Sequence, residues 1–436
     1  MKFDKSNVLR EKAKRLIPGG AHTYSRGDDQ FPQLSPGFLV RGNGVEVWDV
    51  DGNRFIDWGM GLRSVILGHA YQPVLDAVRS QLELGANFTR PHPLEIELAE
   101  RLIDLIPCAE MAKFAKNGSD ATTAAVKLAR AYTGRDMILR CVDQPFFSVH
   151  DWFIGDTPCN AGIPEAVKSL TKHFHYNDAD DLERLLAQYE GKIACVILEA
   201  AASTEPKPGF LEKVRELTKK HGVVLIFDEI ITGFRFHPKG AQHYYGVTPD
   251  LATFAKAMAN GFSVSALVGK RELLELGGLE HNKPRVFLLS TTYGAETHSL
   301  AAAIKSIDIM KDGKISEHIW SIGKKLMEQF NALSKKYGIE KFVSMQGIAC
   351  SPCHVFLGKD GKVDLSLRTL YLQETIQNGL LAPYIAISAS HTDQHIEHFM
   401  GASEKSMPKL VQAIEKGSVD GLLIGPVVKP VFRKFN

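Results

Sequence analysis

One apolar run near the middle of the chain constrains the fold more than any other feature. Residues 223–227 read VVLIF and are followed at once by Asp228 and Glu229. A strand without polar alternation is typical of a parallel sheet that is covered by helices on both faces. From about residue 110 to residue 310, strand-like segments alternate with amphipathic helices, for example SDATTAAVKLARAYTG before MILRC. This alternation predicts an α/β domain with a large, doubly wound, mainly parallel sheet.

The two ends of the chain follow other patterns. Residues 40–57 contain strand-like segments around the dipeptide Asp51-Gly52, which predicts an antiparallel hairpin. The last part of the chain mixes helices with short strands. For a chain of 436 residues we predict an N-terminal segment over 1–70, a large α/β domain over 71–314 and a smaller α+β domain over 315–436.

The charge and the N-terminus exclude several classes of protein. Lysine plus arginine (52) nearly balances aspartate plus glutamate (50), so the chain lacks the basic excess of proteins that bind nucleic acids or anionic membranes. Its apolar runs fall short of the roughly 18 residues of a membrane-spanning helix. The charged N-terminus lacks the apolar region of a signal peptide. We therefore expect a cytoplasmic protein with small-molecule substrates and without nucleic-acid or membrane partners.

Two motifs with cofactor associations are better explained by packing. The segment CSPCH, from Cys350 to His354, matches the C-x-x-C-H form of haem attachment, but it lies in an apolar, strand-like stretch and no export signal accompanies it. His391 and His395 have a spacing that some metal sites use, yet their neighbours resemble a solvated helix start. We therefore predict core residues at the first motif and no metal site.

A single lysine and a single aspartate occupy apolar surroundings close together in the sequence. Lys256 lies in LATFAKAMANG, and Asp228 ends the apolar run. Desolvation lowers the pKa of a lysine amine and makes it a nucleophile that captures aldehydes. A carboxylate at the C-terminal end of a parallel strand lies at the ligand-binding edge of the sheet and can hold a ring nitrogen protonated. Such a pair suits pyridoxal phosphate; taken singly, each residue also fits a surface lysine or a turn cap.

A third segment fits the same cofactor. NGSDAT precedes a predicted helix, so that Gly118 permits close approach, Ser119 supplies a hydroxyl and the helix N-terminus offers backbone N–H groups to a phosphate. By itself this segment equally fits a plain helix cap. In sequence order the chain therefore presents a phosphate site, an aspartate at a strand end and then a lysine.

These residues lie in blocks that resemble the class III aminotransferases, a family of fold-type I enzymes that use pyridoxal 5'-phosphate. The blocks include VWDVDGNRFIDW, NGSDATTAAVKLARAYTGRD, FDEIITGFR, YGVTPDLATFAK and STTYGAETHSLAAA, and they cover nearly the whole chain. The resemblance implies the fold-type I architecture, in which both chain ends build one smaller α+β domain. It assigns Lys256 to the Schiff base with the cofactor and Asp228 to the pyridine nitrogen.

The same resemblance assigns the remaining cofactor contacts. Gly118 and Ser119 would hold the phosphate, and Glu199 would belong to the cofactor site. Phe146 would stack on the pyridine ring if one residue has been inserted before it. Thr292 of STTYG would reach the phosphate of the cofactor in the neighbouring subunit, which implies an obligate homodimer.

Within the family the chain is similar in particular to glutamate-1-semialdehyde aminomutases, but it departs from them around the substrate. Arg63 in GLRSV stands where a small residue is expected, YIAISAS replaces a longer segment that carries a glutamate, and QPFFSVH replaces CYHGH. A mutase must retain its diamine intermediate under a lid, and these are lid positions. The departures favour an aminotransferase that releases its keto product.

The basic residues Arg26 and Arg63, predicted to bind substrate, indicate an anionic or hydroxylated acceptor. Overall likeness points to a transaminase that makes 8-amino-3,8-dideoxy-manno-octulosonate for lipopolysaccharide. The expected amino donor is L-glutamate, which leaves as 2-oxoglutarate in a ping-pong reaction. The glutamate-1-semialdehyde 2,1-aminomutase activity and a pyridoxal-phosphate-dependent amino-acid racemase remain open alternatives.

Overall fold

The computed structural model describes residues 1–435. Contacts within the chain divide it into two compact units. The first, here called the terminal unit, comprises Met1–Tyr71 together with the segment from His318 onward. The second, here called the central unit, comprises Gln72–Glu317.

The secondary structure alternates along most of the chain. The α-helices are α1 (Asp4–Leu16), α2 (Met60–Arg63), α3 (Gln72–Leu82), α4 (Pro93–Leu105), α5 (Gly118–Thr133), α6 (Asp151–Ile154), α7 (Glu165–Lys168), α8 (Ala179–Gln188), α9 (Phe210–Lys220), α10 (Ala241–Tyr244), α11 (Arg271–Leu274), α12 (Thr297–Met310), α13 (Lys314–Lys336), α14 (Leu365–Gln377) and α15 (Asp393–Lys416). The strands are β1 (Leu39–Asn43), β2 (Glu46–Asp49), β3 (Arg54–Asp57), β4 (Met111–Ala115), β5 (Met137–Cys141), β6 (Thr171–Phe174), β7 (Ile193–Leu198), β8 (Val224–Asp228), β9 (Leu251–Phe254), β10 (Ser265–Gly269), β11 (Val343–Ile348), β12 (Ser351–Phe356) and β13 (Leu380–Leu381).

Within residues 1–435, seven strands form the sheet of the central unit, in the order β4-β10-β9-β8-β7-β5-β6. Neighbouring strands from β9 to β6 run parallel, whereas β10 lies antiparallel to both β4 and β9. Every residue of β7 and β8 is buried. The predicted α/β fold with a mainly parallel sheet is therefore confirmed.

Helix α5 packs against β4 and against the strands from β7 to β10, and its ends follow from the sequence. Asn117 precedes the helix in an extended conformation, and its N–H donates to the Asp120 carboxylate at 3.0 Å. The helix ends at Gly134, which has a φ of 67°. Glycine is favoured there because a side chain disfavours left-handed backbone. Because α5 begins three residues after β4 ends, its N-terminus lies at the carboxyl end of that strand.

The terminal unit contains strands from both chain ends in one sheet, ordered β1-β2-β3-β13. The segment predicted as a single hairpin over 40–57 is a three-stranded antiparallel meander. The predicted turn at Asp51-Gly52 joins β2 to β3, with Gly52 at a φ of 88°. Strand β13 pairs in parallel with β3, so a C-terminal segment completes a sheet that the N-terminal segment begins.

The CSPCH motif spans the turn and first residues of the β11–β12 pair. Cys350 is buried, His354 is half-buried, and the cysteines are unbridged. The ring of His354 packs 5.3 Å from Phe330, 5.0 Å from Tyr371 and 5.7 Å from Phe399, measured between ring centres. The motif therefore supplies residues to the core of the terminal unit.

Neither unit, as far as residue 435, contains a helix that is long and apolar enough to cross a membrane. The described residues also bring no group of three or more His, Cys, Asp or Glu side chains into an arrangement that could hold a metal ion.

Candidate active site

Lys256 lies two residues after the end of β9 and begins a short 3-10 turn, Lys256–Ala259. The three residues after it are buried, while the lysine itself is half-buried. Its φ is 47°, in the left-handed region that non-glycine residues seldom adopt. Strain of this kind is tolerated where the surrounding structure enforces it, and it clusters at functional sites.

Asp228 is the last residue of β8 and is only 4% exposed. Its Oδ1 accepts from the N–H of Ile230 at 3.0 Å and from the hydroxyl of Thr253 at 3.1 Å. Burial raises the pKa of the carboxyl to about 6, against the lowering effect of the Ile230 N–H and of the nearby charge on Lys256. The structure thus brings the predicted lysine and aspartate together.

The register of the sheet explains how Asp228 is held. Strands β8 and β9 run parallel, and Asp228 lies opposite Thr253. Thr253 lies in β9, three residues before Lys256, so one short segment carries both the threonine that orients the carboxylate and the lysine. Sequence reasoning missed Thr253, because its role depends on which strands pair and in which register.

The oxygen Oδ2 of Asp228 has no donor recorded within residues 1–435. An ionised carboxylate has capacity for more than the two hydrogen bonds that Oδ1 accepts here. A protonated ring nitrogen would supply the missing donor. The site therefore has an acceptor of the type that a pyridinium group needs.

The start of α5 offers donors to a phosphate. Over the described part of the chain, the N–H groups of Gly118 and Ser119 have no acceptor, as is usual for the first turn of a helix. The hydroxyl oxygen of Ser119 accepts from the N–H of Val149 at 3.1 Å and can still donate its own proton. The positive end of the helix dipole adds to the attraction for an anion.

A neighbouring side chain leaves no room for a β-carbon at Gly118. A β-carbon at this position would lie 2.4 Å from Cδ1 of Ile230. Ile230 is the residue whose N–H donates to Asp228. The phosphate-binding turn and the aspartate loop are therefore packed directly against each other.

The structure distinguishes between two neighbouring aromatic residues near this turn. Phe147 is 1% exposed and its carbonyl accepts from the hydroxyl of Thr122 at 2.8 Å. Phe146 is 43% exposed and contacts Phe153 edge-on, with ring centres 5.7 Å apart. Of the two rings, Phe146 has the face that a ligand can reach, and its stacking role stays a prediction.

Glu199 follows β7 at the same edge of the sheet and is buried. The side-chain amide of Gln144 forms two hydrogen bonds with the backbone of Glu199. It donates to the Glu199 carbonyl at 2.7 Å and accepts from the Glu199 N–H at 2.8 Å. Gln144 was not predicted, and no local pattern in the sequence marks it. The assignment of Glu199 to the cofactor stays a prediction.

Three further predicted residues take no part in the contacts described above. Thr292 is exposed in the central unit, and its carbonyl accepts from the side chain of Asn87 at 3.0 Å. Arg26 and Arg63 belong to the terminal unit. The guanidinium of Arg63 lies 5.8 Å from the ring centre of Tyr384.

Comparison with known proteins places this chain in a family. The profile described as Aminotransferase class-III matches residues 24–352. The chain belongs to this family. It is 35% identical over 420 residues to the 3-aminobutyryl-CoA aminotransferase of Cloacimonas acidaminovorans (strain Evry), over 94% of this chain and 98% of that protein.

Two other similarities agree with the family. The chain is 32% identical over 435 residues to the glutamate-1-semialdehyde 2,1-aminomutase of Methanococcus maripaludis (strain C5 / ATCC BAA-1333), over 94% of this chain and 99% of that protein. The solved structure of the FumI protein of Sphingopyxis sp. MTA144, with pyridoxal phosphate, superposes with a TM-score of 0.86 at 26% identity, covering 94% of this chain and 98% of that one. The protein is a pyridoxal-phosphate-dependent class III transaminase.

The residues of the central unit fit this cofactor. Gly118 and Ser119 would hold the phosphate, Asp228 would face the ring nitrogen, and Lys256 would supply the amine that attaches the aldehyde. When bound, pyridoxal phosphate supplies a carbonyl that takes up an amino group and a ring that takes up electrons. Asp228 would hold the proton on the ring nitrogen. Lys256 would move the proton at the substrate Cα as general base and general acid.

Proposed function

We propose that this transaminase moves an amino group from L-glutamate to the carbonyl of a sugar-acid acceptor of the 8-amino-3,8-dideoxy-manno-octulosonate type, in the synthesis of lipopolysaccharide sugars. Arg63 is the observation that carries the proposal. It stands where the aminomutase pattern has a small residue, and its guanidinium is held over the ring of Tyr384. Arginine recognises carboxylates through a planar, two-pronged set of donors, so an acceptor with a carboxylate is favoured.

The proposed site residues divide the work between chemistry and recognition. Lys256 and Asp228 serve both half-reactions, because each half-reaction exchanges a proton at the carbon that carries the nitrogen. Arg26 and Arg63 bind substrate carboxylates and contribute orientation rather than proton transfer. A reaction of two separate halves on one lysine follows a ping-pong scheme.

We further propose that the enzyme works in the cytoplasm as a homodimer with shared active sites. Thr292 supports this proposal because it is exposed and its hydroxyl has no partner recorded in the described chain. The same segment exposes Phe287 (72%) and Tyr293 (59%). Large apolar side chains that are exposed together are typical of a surface that another subunit covers.

A 3-oxoacyl thioester is a second candidate acceptor. One argument for it is the 35% identity to the relative named 3-aminobutyryl-CoA aminotransferase. A second is that an acyl-CoA acceptor also carries anionic groups, which arginines can bind. The aminomutase activity has weaker support. The identity to the aminomutase relative is 32%, and the segments GLRSV, YIAISAS and QPFFSVH differ from the aminomutase pattern. A racemase would need no amino acceptor at all.

A panel of acceptors tests the proposal. Enzyme loaded with pyridoxamine phosphate is mixed with 8-oxo-3-deoxy-manno-octulosonate, 3-oxobutyryl-CoA or glutamate-1-semialdehyde, and the loss of the pyridoxamine absorbance is followed. We expect the sugar acid to react at least tenfold faster than the others, with release of one 2-oxoglutarate per glutamate in the first half-reaction. Faster reaction with either of the other acceptors would contradict the sugar-acid assignment.

A further inference from the structure

Three guanidinium groups surround the side chain of Tyr384 in the terminal unit. The guanidinium of Arg63 lies 5.8 Å from the ring centre. Arg368 donates from Nη2 to the backbone carbonyl of the residue before Tyr384 at 3.1 Å. The Tyr384 hydroxyl donates to the carbonyl of Ser25 at 3.1 Å, and Arg26, the next residue, is near enough for its charge to act on that hydroxyl. Segments that are distant in sequence thus gather three cations in one place.

The charges that act on Tyr384 come from three arginines and one carboxylate. Burial raises the pKa of the Tyr384 hydroxyl, and the charges of the three arginines oppose that rise, while Asp57 adds to it. The carboxylate of Asp57 already accepts from Nε2 of His69 at 2.9 Å. For the guanidinium groups of Arg26 and Arg368, no carboxylate is recorded within 4.0 Å among residues 1–435. Arg368 is half-buried, and arginines that lose part of their hydration are normally paired with anions. Arg26 is exposed and keeps its hydration.

The backbone that presents Arg63 is strained. Residues 60–63 all have positive φ, at 40°, 59°, 62° and 68° in sequence order. Left-handed backbone is unfavourable for the three of them that carry a side chain. The turn is held by the buried side chain of Met60 and by the Ser64 hydroxyl, which donates to the carbonyl of Gly61 at 2.7 Å. Non-glycine residues that are kept in this region cluster at ligand sites.

We propose that Arg63 and Arg368, together with Arg26, form an anion-binding site that takes the carboxylate of a polyhydroxylated acceptor, and that the ring of Tyr384 positions the Arg63 guanidinium. Guanidinium groups donate charge-assisted hydrogen bonds that match a carboxylate, and an aromatic face orients a cation above it. The identity of the ligand rests on the proposed function. Arg368 and Tyr384 are added to the residues that determine specificity.

Calorimetric titration of the full-length holoenzyme tests the site without turnover. The probes are D-gluconate, an open-chain polyhydroxy carboxylate without a reactive carbonyl, and D-glucitol, which has a hydroxymethyl group in place of the carboxylate. We expect D-gluconate to bind and D-glucitol not to bind. Loss of one charge-assisted contact in Arg368→Met should weaken D-gluconate binding about ten- to a hundredfold.

Two variants separate binding from folding. Arg63→Gly should weaken D-gluconate binding to a similar extent while it leaves or raises the melting temperature, because glycine adopts a φ of 68° without strain. Tyr384→Phe keeps the ring and should bind D-gluconate within threefold of the unmodified protein, whereas Tyr384→Leu should bind at least tenfold more weakly. If the ring served folding alone, Tyr384→Leu would lower the melting temperature while the folded protein bound D-gluconate as the unmodified protein does.

Arg41→Met is the matched control, because the Arg41 guanidinium also lies over an aromatic ring of the terminal unit, 4.5 Å from the centre of Trp48. It should bind D-gluconate as the unmodified protein does. The proposal is overturned if the unmodified protein fails to bind D-gluconate, or if Arg41→Met weakens binding as much as Arg368→Met. Binding of D-gluconate with no transfer to any sugar acid would leave the anion site standing and contradict the proposed function alone.

Discussion

At the scale of single residues, we expect turnover to depend on the amine of Lys256. Lys256→Ala should abolish transamination, because no side chain remains to attach the cofactor or to move the proton at the substrate Cα. Borohydride reduction followed by peptide mass spectrometry should then find no cofactor on the peptide that contains residue 256. Lys239→Ala, at an exposed lysine of the same unit, should retain both properties. A reduced adduct on another lysine of the unmodified protein would contradict the assignment.

Asp228 contributes a charge that an amide of the same shape cannot supply. Asp228→Asn should lower the single-turnover rate with L-glutamate at least a hundredfold, since groups that hold or move a reacting proton contribute about 10²–10⁴ in rate. Thr253→Val removes only the 3.1 Å hydrogen bond to Oδ1 and should cost about 1 kcal/mol, or roughly fivefold. An Asp228→Asn rate within threefold of the unmodified enzyme would rule out this role.

His354 makes stability depend on pH. Burial, and secondly the charge of Arg368, lower the pKa of His354 from 6.5 to about 3, so the native state keeps the ring neutral while the unfolded chain takes up a proton below pH 6.5. The free energy of unfolding should therefore fall as the pH drops from 7 towards 3, by about 2 kcal/mol at pH 5 from this residue alone. Urea unfolding at pH 7 and pH 5 measures the change.

Comparison with His354→Phe isolates that contribution. The variant keeps an aromatic ring among the neighbouring rings, including Phe330 and Tyr371, and removes a buried Nε2 that has no hydrogen-bond partner. The loss of stability between pH 7 and pH 5 should be about 2 kcal/mol smaller in the variant. Equal losses in both proteins would mean that His354 is protonated in the native state.

At the scale of elements, the start of α5 is shaped by tertiary contact more than by helix propensity. Propensity alone predicts that Gly118→Ala stabilises the helix by about 0.5–1 kcal/mol. The new β-carbon would instead lie 2.4 Å from Cδ1 of Ile230 and displace the loop that holds Asp228. After dialysis, Gly118→Ala should need about tenfold more free pyridoxal phosphate than the unmodified protein to remain loaded with cofactor.

A second glycine of the same helix provides the control. Gly134→Ala places a side chain at a φ of 67° with no atom within 4 Å of the new carbon. It should lower the free energy of unfolding by about 1 kcal/mol and leave cofactor retention unchanged. Loss of cofactor in both variants would indicate general destabilisation rather than a local effect at the phosphate site.

At the scale of the whole molecule, the prediction concerns the proposed homodimer. Thr292→Ala removes a hydroxyl proposed to bond the phosphate in the other subunit, and should cost about 1–3 kcal/mol for a hydrogen bond to a charged group. The dissociation constant of the cofactor should be about five- to a hundredfold higher in the variant than in the unmodified protein. Sedimentation should show that the variant is still a dimer. Full retention of cofactor by a dilute monomer would contradict the shared site.

The local sequence determined the class of the fold and the principal chemistry. The apolar strands and the amphipathic helices repeat at fixed periods, and such periods follow from backbone geometry that neighbouring residues share. Lys256 and Asp228 could also be identified from the local sequence, because each is a charged residue next to an apolar strand. The ends of α5 at Asn117 and Gly134 likewise depend on residues in the first and last turns.

Only the tertiary structure decided which distant residues meet. Strand β10 runs antiparallel within an otherwise parallel sheet, and Asp228 lies opposite Thr253, because pairing depends on the packing of the whole sheet. The left-handed turn that ends at Arg63 is locally unfavourable, so no propensity predicts it. Arg368 and Tyr384 join it only because the chain returns to the same place more than 300 residues later. Contacts across such separations are set by the packing of the folded chain, which a reading of neighbouring residues does not contain.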